Sequence, residues 1–352
     1  MNALDKIFEL EPFELTNNQK KSIFTSKIKE LNQYHFNNCA EYKKIISYLH
    51  KGRKINFKDL PPLPVGLFKN NNLISISKKK IIRQLVSSGT SSNNRSKINI
   101  DLENSKNQIK TLQKISSEYL GKDRMHMAIL GQEKKNNNFQ LNASNAAISG
   151  FSLFGKNHTY LIDENGNFNK DRLIEFANKF KNEKKLLFGF TFNIYKYFIK
   201  NIPGQNINLS NSILLHGGGW KKLERYKISN EKFSKILKSK YEINKIINYY
   251  GLVEQTGSIY FECEEGFFHT SNYSDILIKN NYLEECDHGT KGLVQLISLL
   301  PKSYPGHNII TEDIGAIYGV DNCKCKRNGK IFKIFGRVKD SETRGCSDAQ
   351  QS

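Results

Sequence analysis

An α/β fold with helices covering a sheet, followed by a β-rich lobe, is what the sequence predicts. Two observations carry that expectation. Through the middle of the chain, short apolar runs alternate with helical periods, as when strands are joined by covering helices. From about residue 258 to 335 the character changes to short β-like runs with many glycines and few helical periods. At 352 residues the chain exceeds the usual size of one domain, so one large domain with a smaller appendage is expected.

Residues 16 to 52 read as helix, because Phe24, Ile28, Leu31 and His35 recur on one face and Cys39 continues the stripe. A His and a Cys on such a face are expected in the core. Pro61, Pro62 and Pro64 then stop regular structure and predict a stiff extended connector. Met125 to Leu130, Leu186 to Phe190 and Ser212 to His216 predict buried strands. Residues 103 to 119 (Ile109, Leu112, Ile115, Tyr119) and 168 to 182 (Leu173, Phe176, Phe180) predict the helices between them. The expected segments are a helical stretch over 1–60, an α/β core over 61–257, a β-rich lobe over 258–335 and a hinge remnant with a short tail over 336–352.

The formal charge of +20 is spread as Lys through nearly every segment rather than gathered in basic stretches interleaved with aromatics, which argues against a nucleic-acid partner. No run of 18 apolar residues exists, so no transmembrane segment is expected. Met1 to Leu15 lacks the basic-then-apolar order of a signal peptide, and a cytoplasmic location follows as an expectation. Six cysteines in a chain this long do not suggest a disulfide framework, so packing, metal or catalysis has to account for them.

Five motifs bear chemistry. Ser87-Ser88-Gly89-Thr90-Ser91-Ser92 follows the apolar run Ile81 to Val86 and offers hydroxyls and free backbone N–H groups to a polyphosphate. A flexible turn is the plain alternative, and the Gly-Lys-Ser/Thr ending of a Walker loop is absent. His216-Gly217-Gly218-Gly219-Trp220 ends a predicted strand and lets backbone approach a flat ligand, or makes a tight turn. Tyr249-Tyr250-Gly251-Leu252-Val253-Glu254-Gln255-Thr256-Gly257 puts a ring, a glycine and a carboxylate near a strand end, where ligands sit in open α/β sheets. Thr311-Glu312-Asp313-Ile314-Gly315 and Phe335-Gly336-Arg337-Val338-Lys339-Asp340 add an acid suited to ribose hydroxyls and an Arg suited to phosphate or ribose.

In that order and spacing the motifs resemble the adenylate-forming enzymes, from about residue 60 to the C-terminus. The string YGLVEQTGS, the TEDIG turn and the ending GRVKDSETRGC resemble the acyl-protein synthetase (fatty-acid–protein ligase) branch, with phenylacetate–CoA ligases more distant. The resemblance implies an adenylate-forming large domain. It implies a ligase that makes acyl-AMP from a carboxylic acid, and the branch implies a fatty one, with ATP and Mg²⁺. Ser87, Ser88, Gly89 and Thr90 would hold the phosphates. Gly217, Gly218 and Gly219 would line the adenine, with Tyr250 stacking on it and Gly251 beside it. Glu254 would hold Mg²⁺, Asp313 the ribose hydroxyls, and Arg337 would sit near ribose and phosphates.

Two departures stand out. Val253 replaces the Thr or Ser that usually precedes the motif glutamate, and only 12 residues follow Asp340, so the usual C-terminal subdomain with its lysine is expected to be essentially absent. Cys346, in Arg344-Gly345-Cys346-Ser347, matches the family's acyl-accepting cysteine and implies a thioester delivered to a partner such as a reductase or acyltransferase. An inert tail cysteine is the plain alternative. Cys263, His269, Cys323 and Cys325 share the glycine-rich lobe and suggest a closed structural zinc site, with Cys286 able to replace His269; buried free thiols are the alternative. Ala143 to Gly155 and Phe188 to Phe192 suit either an apolar acyl tunnel or ordinary core. An acyl- or aryl-CoA ligase is the enzymatic rival, and a non-catalytic basic binding module is the rival from another class.

Overall fold

The computed structural model describes residues 3–87, 95–133, 140–200, 207–220 and 226–338. They fall into two compact units, one built from residues 3–87, 95–119 and 251–338, the other from residues 120–250.

The first unit opens with α1 (Ala3–Ile7) and α2 (Asn17–Asn38). A capping box starts α2: Gln19 N–H donates to Thr16 Oγ1 at 3.3 Å, and Thr16 N–H donates to Gln19 Oε1 at 2.8 Å. The single helix expected over 16–52 is in fact two. Cys39 adopts extended backbone (φ −122°), ending α2 and starting α3 (Ala40–His50). The expected stripe of α2 is buried at Phe24, Leu31 and His35 and widened by Lys20, Lys27 and Asn32, with Ile28 only half-buried. Polar groups tolerate that face because they find partners. Lys20 Nζ donates to the carbonyls of Ser271 (2.6 Å) and Ser274 (2.9 Å). His35 bonds Ser75 Oγ at 2.7 Å and Pro301 O at 3.1 Å. His35 and Cys39 are buried, as their places on the stripe suggest.

The proline connector supplies β1 (Leu63–Pro64), which pairs in parallel with residues 309 and 310, and α4 (Leu67–Asn70) follows. Antiparallel β2 (Arg83–Val86) and β3 (Lys97–Ile100) lead into α5 (Leu102–Leu120). The expected stripe of α5 holds in its later half, where Ile115 and Tyr119 are buried, and fails in its earlier half. Ile109 is 42% exposed, whereas Asn104, Gln108 and Thr111 are buried. Hydrogen bonds account for the polar half: Asn104 Oδ1 accepts from Lys302 N–H (2.8 Å) and Ser303 N–H (3.2 Å), and Gln108 Nε2 donates to Thr256 Oγ1 (2.8 Å).

The second unit runs through β4 (Met125–Gln132), β5 (Gln140–Asn142), α6 (Ala143–Phe151), β6 (Gly155–Ile162), α7 (Lys170–Lys179), β7 (Lys185–Phe190), α8 (Thr191–Ile194), β8 (Ser212–Gly217), α9 (Asn230–Tyr241) and β9 (Lys245–Gly251). Strands β9, β8, β7, β4 and β6 lie side by side in that order, and the neighbours are parallel. Every residue of β7 is buried, the mark of a strand covered on both faces. Leu173 and Phe176 of α7 and Leu237 and Tyr241 of α9 share one core cluster with Leu187 and Leu214 of the sheet.

The chain returns to the first unit with β10 (Ile259–Phe261), β11 (Phe268–His269), β12 (Ser274–Lys279), β13 (Gly292–Ser298), β14 (Asn308–Val320) and β15 (Lys330–Arg337). Antiparallel pairing gives the order β11-β15-β14-β13-β12, and no helix interrupts the series. Among the described residues, no helix is long and apolar enough to cross a membrane.

Candidate active site

In the first unit the site centres on the short turn after Gly251. Glu254 is 5% exposed. Burial raises its carboxyl above the usual range, the neighbouring Ser96 hydroxyl and Arg337 pull it back, and Asp313 adds to the rise. Its place in the chain is set by the next residue. Gln255 Nε2 donates to Leu296 O (3.1 Å) and Gly306 O (2.9 Å), anchoring the turn to the β13 strand and to the segment before β14. Gly306 is required there, since a Cβ on it would lie 2.5 Å from the Glu254 carbonyl oxygen.

Asp313 and Arg337 face each other in the antiparallel register of β14 and β15. Arg337 Nε lies 3.5 Å from Asp313 Oδ1. The Asp313 N–H donates to Thr311 Oγ1 (3.1 Å), and Thr311 in turn donates to Val294 O (2.9 Å). The Asp313 side chain is 11% exposed and that of Arg337 31%, so the pair reaches the surface through its cation. Glu254, Asp313 and Arg337, far apart in sequence, thus belong to one unit and act on one another's charge.

The glycine turn lies in the second unit at the end of β8. Gly217 packs against Tyr249, where a Cβ would meet the ring and the Tyr249 carbonyl, and Gly218 has a φ of +80° that favours glycine. Nothing lies within 4 Å of the position a Cβ on Gly219 would take. His216 is buried, bonded through Nδ1 to Thr191 Oγ1 at 2.9 Å, and burial lowers its pKa to about 3. It is a neutral support for the turn. Tyr249 packs with Phe151 and Phe188 (centroids 4.9 and 6.3 Å apart), while half-buried Tyr250 is the next residue of β9, on its opposite face. Phe151, Phe188 and Phe190 are fully buried core side chains.

Ser87 is described, at the end of β2, and its Oγ accepts from Ser96 N–H at 2.9 Å. Ser88, Gly89, Thr90 and Cys346 lie outside the described residues. Motif reading missed Ser96, Gln108 and Gly306, and gave Gln255 no role within its string. The one signal for Gly306 is Ser303-Tyr304-Pro305-Gly306, a turn string with no chemistry of its own.

A second cluster lies in the same unit. The donor atoms of Cys263, His269, Cys323 and Cys325 are all within 4.8 Å of one another. Cys286, the alternative fourth member, is not among them. Beside them, the Arg327 guanidinium stands 4.3 Å over the Tyr119 ring and pairs with Glu264 at 2.9 Å.

This architecture is that of the adenylate-forming ligases. The open form of 2-hydroxyisobutyryl-CoA ligase, solved with 2-HIB-AMP and CoA, matches with a TM-score of 0.70 over 94% of this chain and 77% of its own, at 10% identity, a likeness of fold alone. At the level of sequence, the family described as acyl-protein synthetase, LuxE, matches residues 2–352, and the chain belongs to it. Among its relatives are the long-chain-fatty-acid–luciferin-component ligases of Vibrio harveyi (24% identical over 368 residues, 97% of this chain and 91% of the relative) and Aliivibrio fischeri (23% over 358 residues, 97% and 92%). The protein is accordingly an enzyme, a ligase.

Proposed function

We propose that this ligase activates a fatty acid as acyl-AMP and carries the acyl group as a thioester on Cys346 for a partner protein. The observation that supports it most is the Glu254 carboxylate, buried yet beside only one nearby cation, Arg337, among the groups that shift it. Such a carboxylate favours a bound cation, because a positive charge reverses the cost of ionising it in a dry site. It fits Mg²⁺, which when bound would neutralise charge between the α-phosphate and the acyl carboxylate.

The chain's own residues divide the remaining work. Asp313 would accept hydrogen bonds from the ribose hydroxyls, and Arg337, steered by Asp313, would lie against ribose and phosphates. Ser87, Ser88, Gly89 and Thr90 would hold phosphate oxygens through hydroxyls and backbone N–H groups. Gly217, Gly218 and Gly219 would line the adenine, Tyr250 would stack on it, and Gly251 would leave room beside the ring. A carboxylate oxygen of the acid attacks the α-phosphorus, and the bond to pyrophosphate breaks. The Cys346 thiolate then attacks the acyl carbonyl, the carbon–oxygen bond to AMP breaks, and the thiol proton passes to solvent. A reductase or acyltransferase with its own nucleophile takes the acyl group next. Free thiols in a working enzyme suit the reducing cytoplasm.

Incubation with ATP, Mg²⁺ and a fatty acid should add one acyl mass, removable by neutral hydroxylamine. Cys346→Ser should still form acyl-AMP but lose the adduct. Persistence of the adduct on that variant, or its mapping to Cys39 or Cys286, would overturn the assignment.

A further inference from the structure

The four donors in the β-rich part of the first unit come from two turns and one strand. Cys263 opens a tight turn: its N–H donates to Phe267 O (2.8 Å), its carbonyl accepts from Gly266 N–H (2.9 Å), and Gly266 has a φ of +74°. His269 follows in β11, held in register against Ile331 of β15. Cys323 and Cys325 sit in the β14–β15 connection, where Lys326 N–H closes back on Cys323 O at 3.0 Å and Lys326 takes a φ of +65°. The chain uses left-handed backbone in both turns, and both turns bring sulfur to the same point.

Distances discriminate among the explanations. Cys263 Sγ and Cys323 Sγ are 3.8 Å apart, far beyond the roughly 2.05 Å of a disulfide. Cys325 Sγ and His269 Nε2 are 3.3 Å apart. Four ligands at about 2.3 Å (sulfur) and about 2.0 Å (nitrogen) from a tetrahedral Zn²⁺ stand roughly 3.5 to 3.8 Å from each other. The observed spacings bracket those edges. Simple packing of free thiols would not bring an imidazole nitrogen and three sulfurs within 4.8 Å of one another.

We infer that Cys263, His269, Cys323 and Cys325 form a closed, structural Zn²⁺ site that ties the β14–β15 connection to the turn before β11. All four tetrahedral positions are filled by protein, so no substrate position remains and the ion is outside the acyl-transfer chemistry. Three thiolates and an imidazole leave the zinc complex with one net negative charge. Arg327, ion-paired to Glu264 through Nη1 at 2.9 Å and in hydrogen-bonding reach of Cys325, stands beside it and offsets part of that charge. Arg327 is thus a positioning residue for the metal.

The test is elemental analysis of the full-length chain purified without chelating resin, where about one zinc per chain is expected. Cys323→Ser and Cys325→Ser should lose the metal and melt at lower temperature, whereas Cys286→Ser should keep both metal and melting point. Arg327→Met should retain the fold but bind zinc roughly 10- to 100-fold more weakly. Because the cysteine variants can fail to fold, Co²⁺ replacement in the unmutated protein provides a second readout. It should give thiolate-to-cobalt charge transfer and the intense visible bands of a tetrahedral ion. A folded, metal-free wild-type chain that takes up no Co²⁺, iron in place of zinc, or full zinc in Cys323→Ser would overturn the inference.

Discussion

Gly306→Ala tests whether the backbone position of Glu254, and not only its carboxylate, is needed for adenylation. The added methyl would sit 2.5 Å from the Glu254 carbonyl oxygen, where carbon and oxygen normally stay about 3.3 Å apart. The shortfall is about 0.8 Å. On the other side the methyl would press on the Tyr304 ring, which is fully buried and has nowhere to swing. The turn carrying Glu254 therefore has to give. A misplacement near 1 Å at a reacting centre costs on the order of 100-fold, so carboxylate-driven ATP–pyrophosphate exchange should slow by about 10- to 100-fold. Overpacking should also cost roughly 1 to 3 kcal/mol of stability. Gly66→Ala is the control, since its methyl would meet nothing within 4 Å. If Gly306→Ala kept the wild-type exchange rate and melting temperature, the close approach would have no functional weight.

Glu254→Gln keeps the shape and removes the charge. Pyrophosphate exchange should fall by about 100-fold or more, and retention of the full rate would show that the metal is held elsewhere. Acid should destabilise the protein through its buried histidines. His35 and His216 are both lowered to about 3 by burial, so the folded state stays unprotonated while the unfolded state takes up protons below about pH 6.5. Stability from each is full above that pH and declines as pH falls toward 3. At pH 5 the loss is about 2 kcal/mol per histidine, read from urea midpoints at pH 7 and pH 5; equal midpoints would refute the burial argument.

The parallel sheet was legible because strands buried on both faces read as continuous apolar runs: Met125 to Leu130 and Leu186 to Phe190 lie within β4 and β7. The helix faces were harder. In α5 the buried side joins Asn104, Gln108 and Thr111 to Ile115 and Tyr119, so a hydrophobic stripe finds the later half of the face and misses the polar half, which only partners some 150 to 200 residues away reveal. The break between α2 and α3 falls at Cys39, with neither Gly nor Pro to announce it. Glu254, Asp313 and Arg337 stood out as motif residues, yet nothing local links Ser96 or Gly306 to Glu254. The four residues of the Cys/His cluster were visible as residue types sharing a lobe, while their convergence depends on two left-handed turns at Gly266 and Lys326.

The first unit is interrupted in the chain, and this orders events during synthesis. Lys20 hands its protons to carbonyls 251 and 254 residues downstream, and His35 meets Pro301 266 residues on. At roughly 5 to 20 residues per second, a ribosome needs on the order of 13 to 50 s to make that stretch. Throughout that interval α2 carries a buried-type lysine with no native acceptor and a histidine that can meet Ser75 but not yet Pro301, while the intervening parallel sheet can already close on itself. Helix α2 leaves the ribosome well before the strands it docks on and is thus among the last elements to settle. Holdase chaperones should engage residues 17–50 of nascent chains that stop short of β12, and release them once β12 and β13 have emerged.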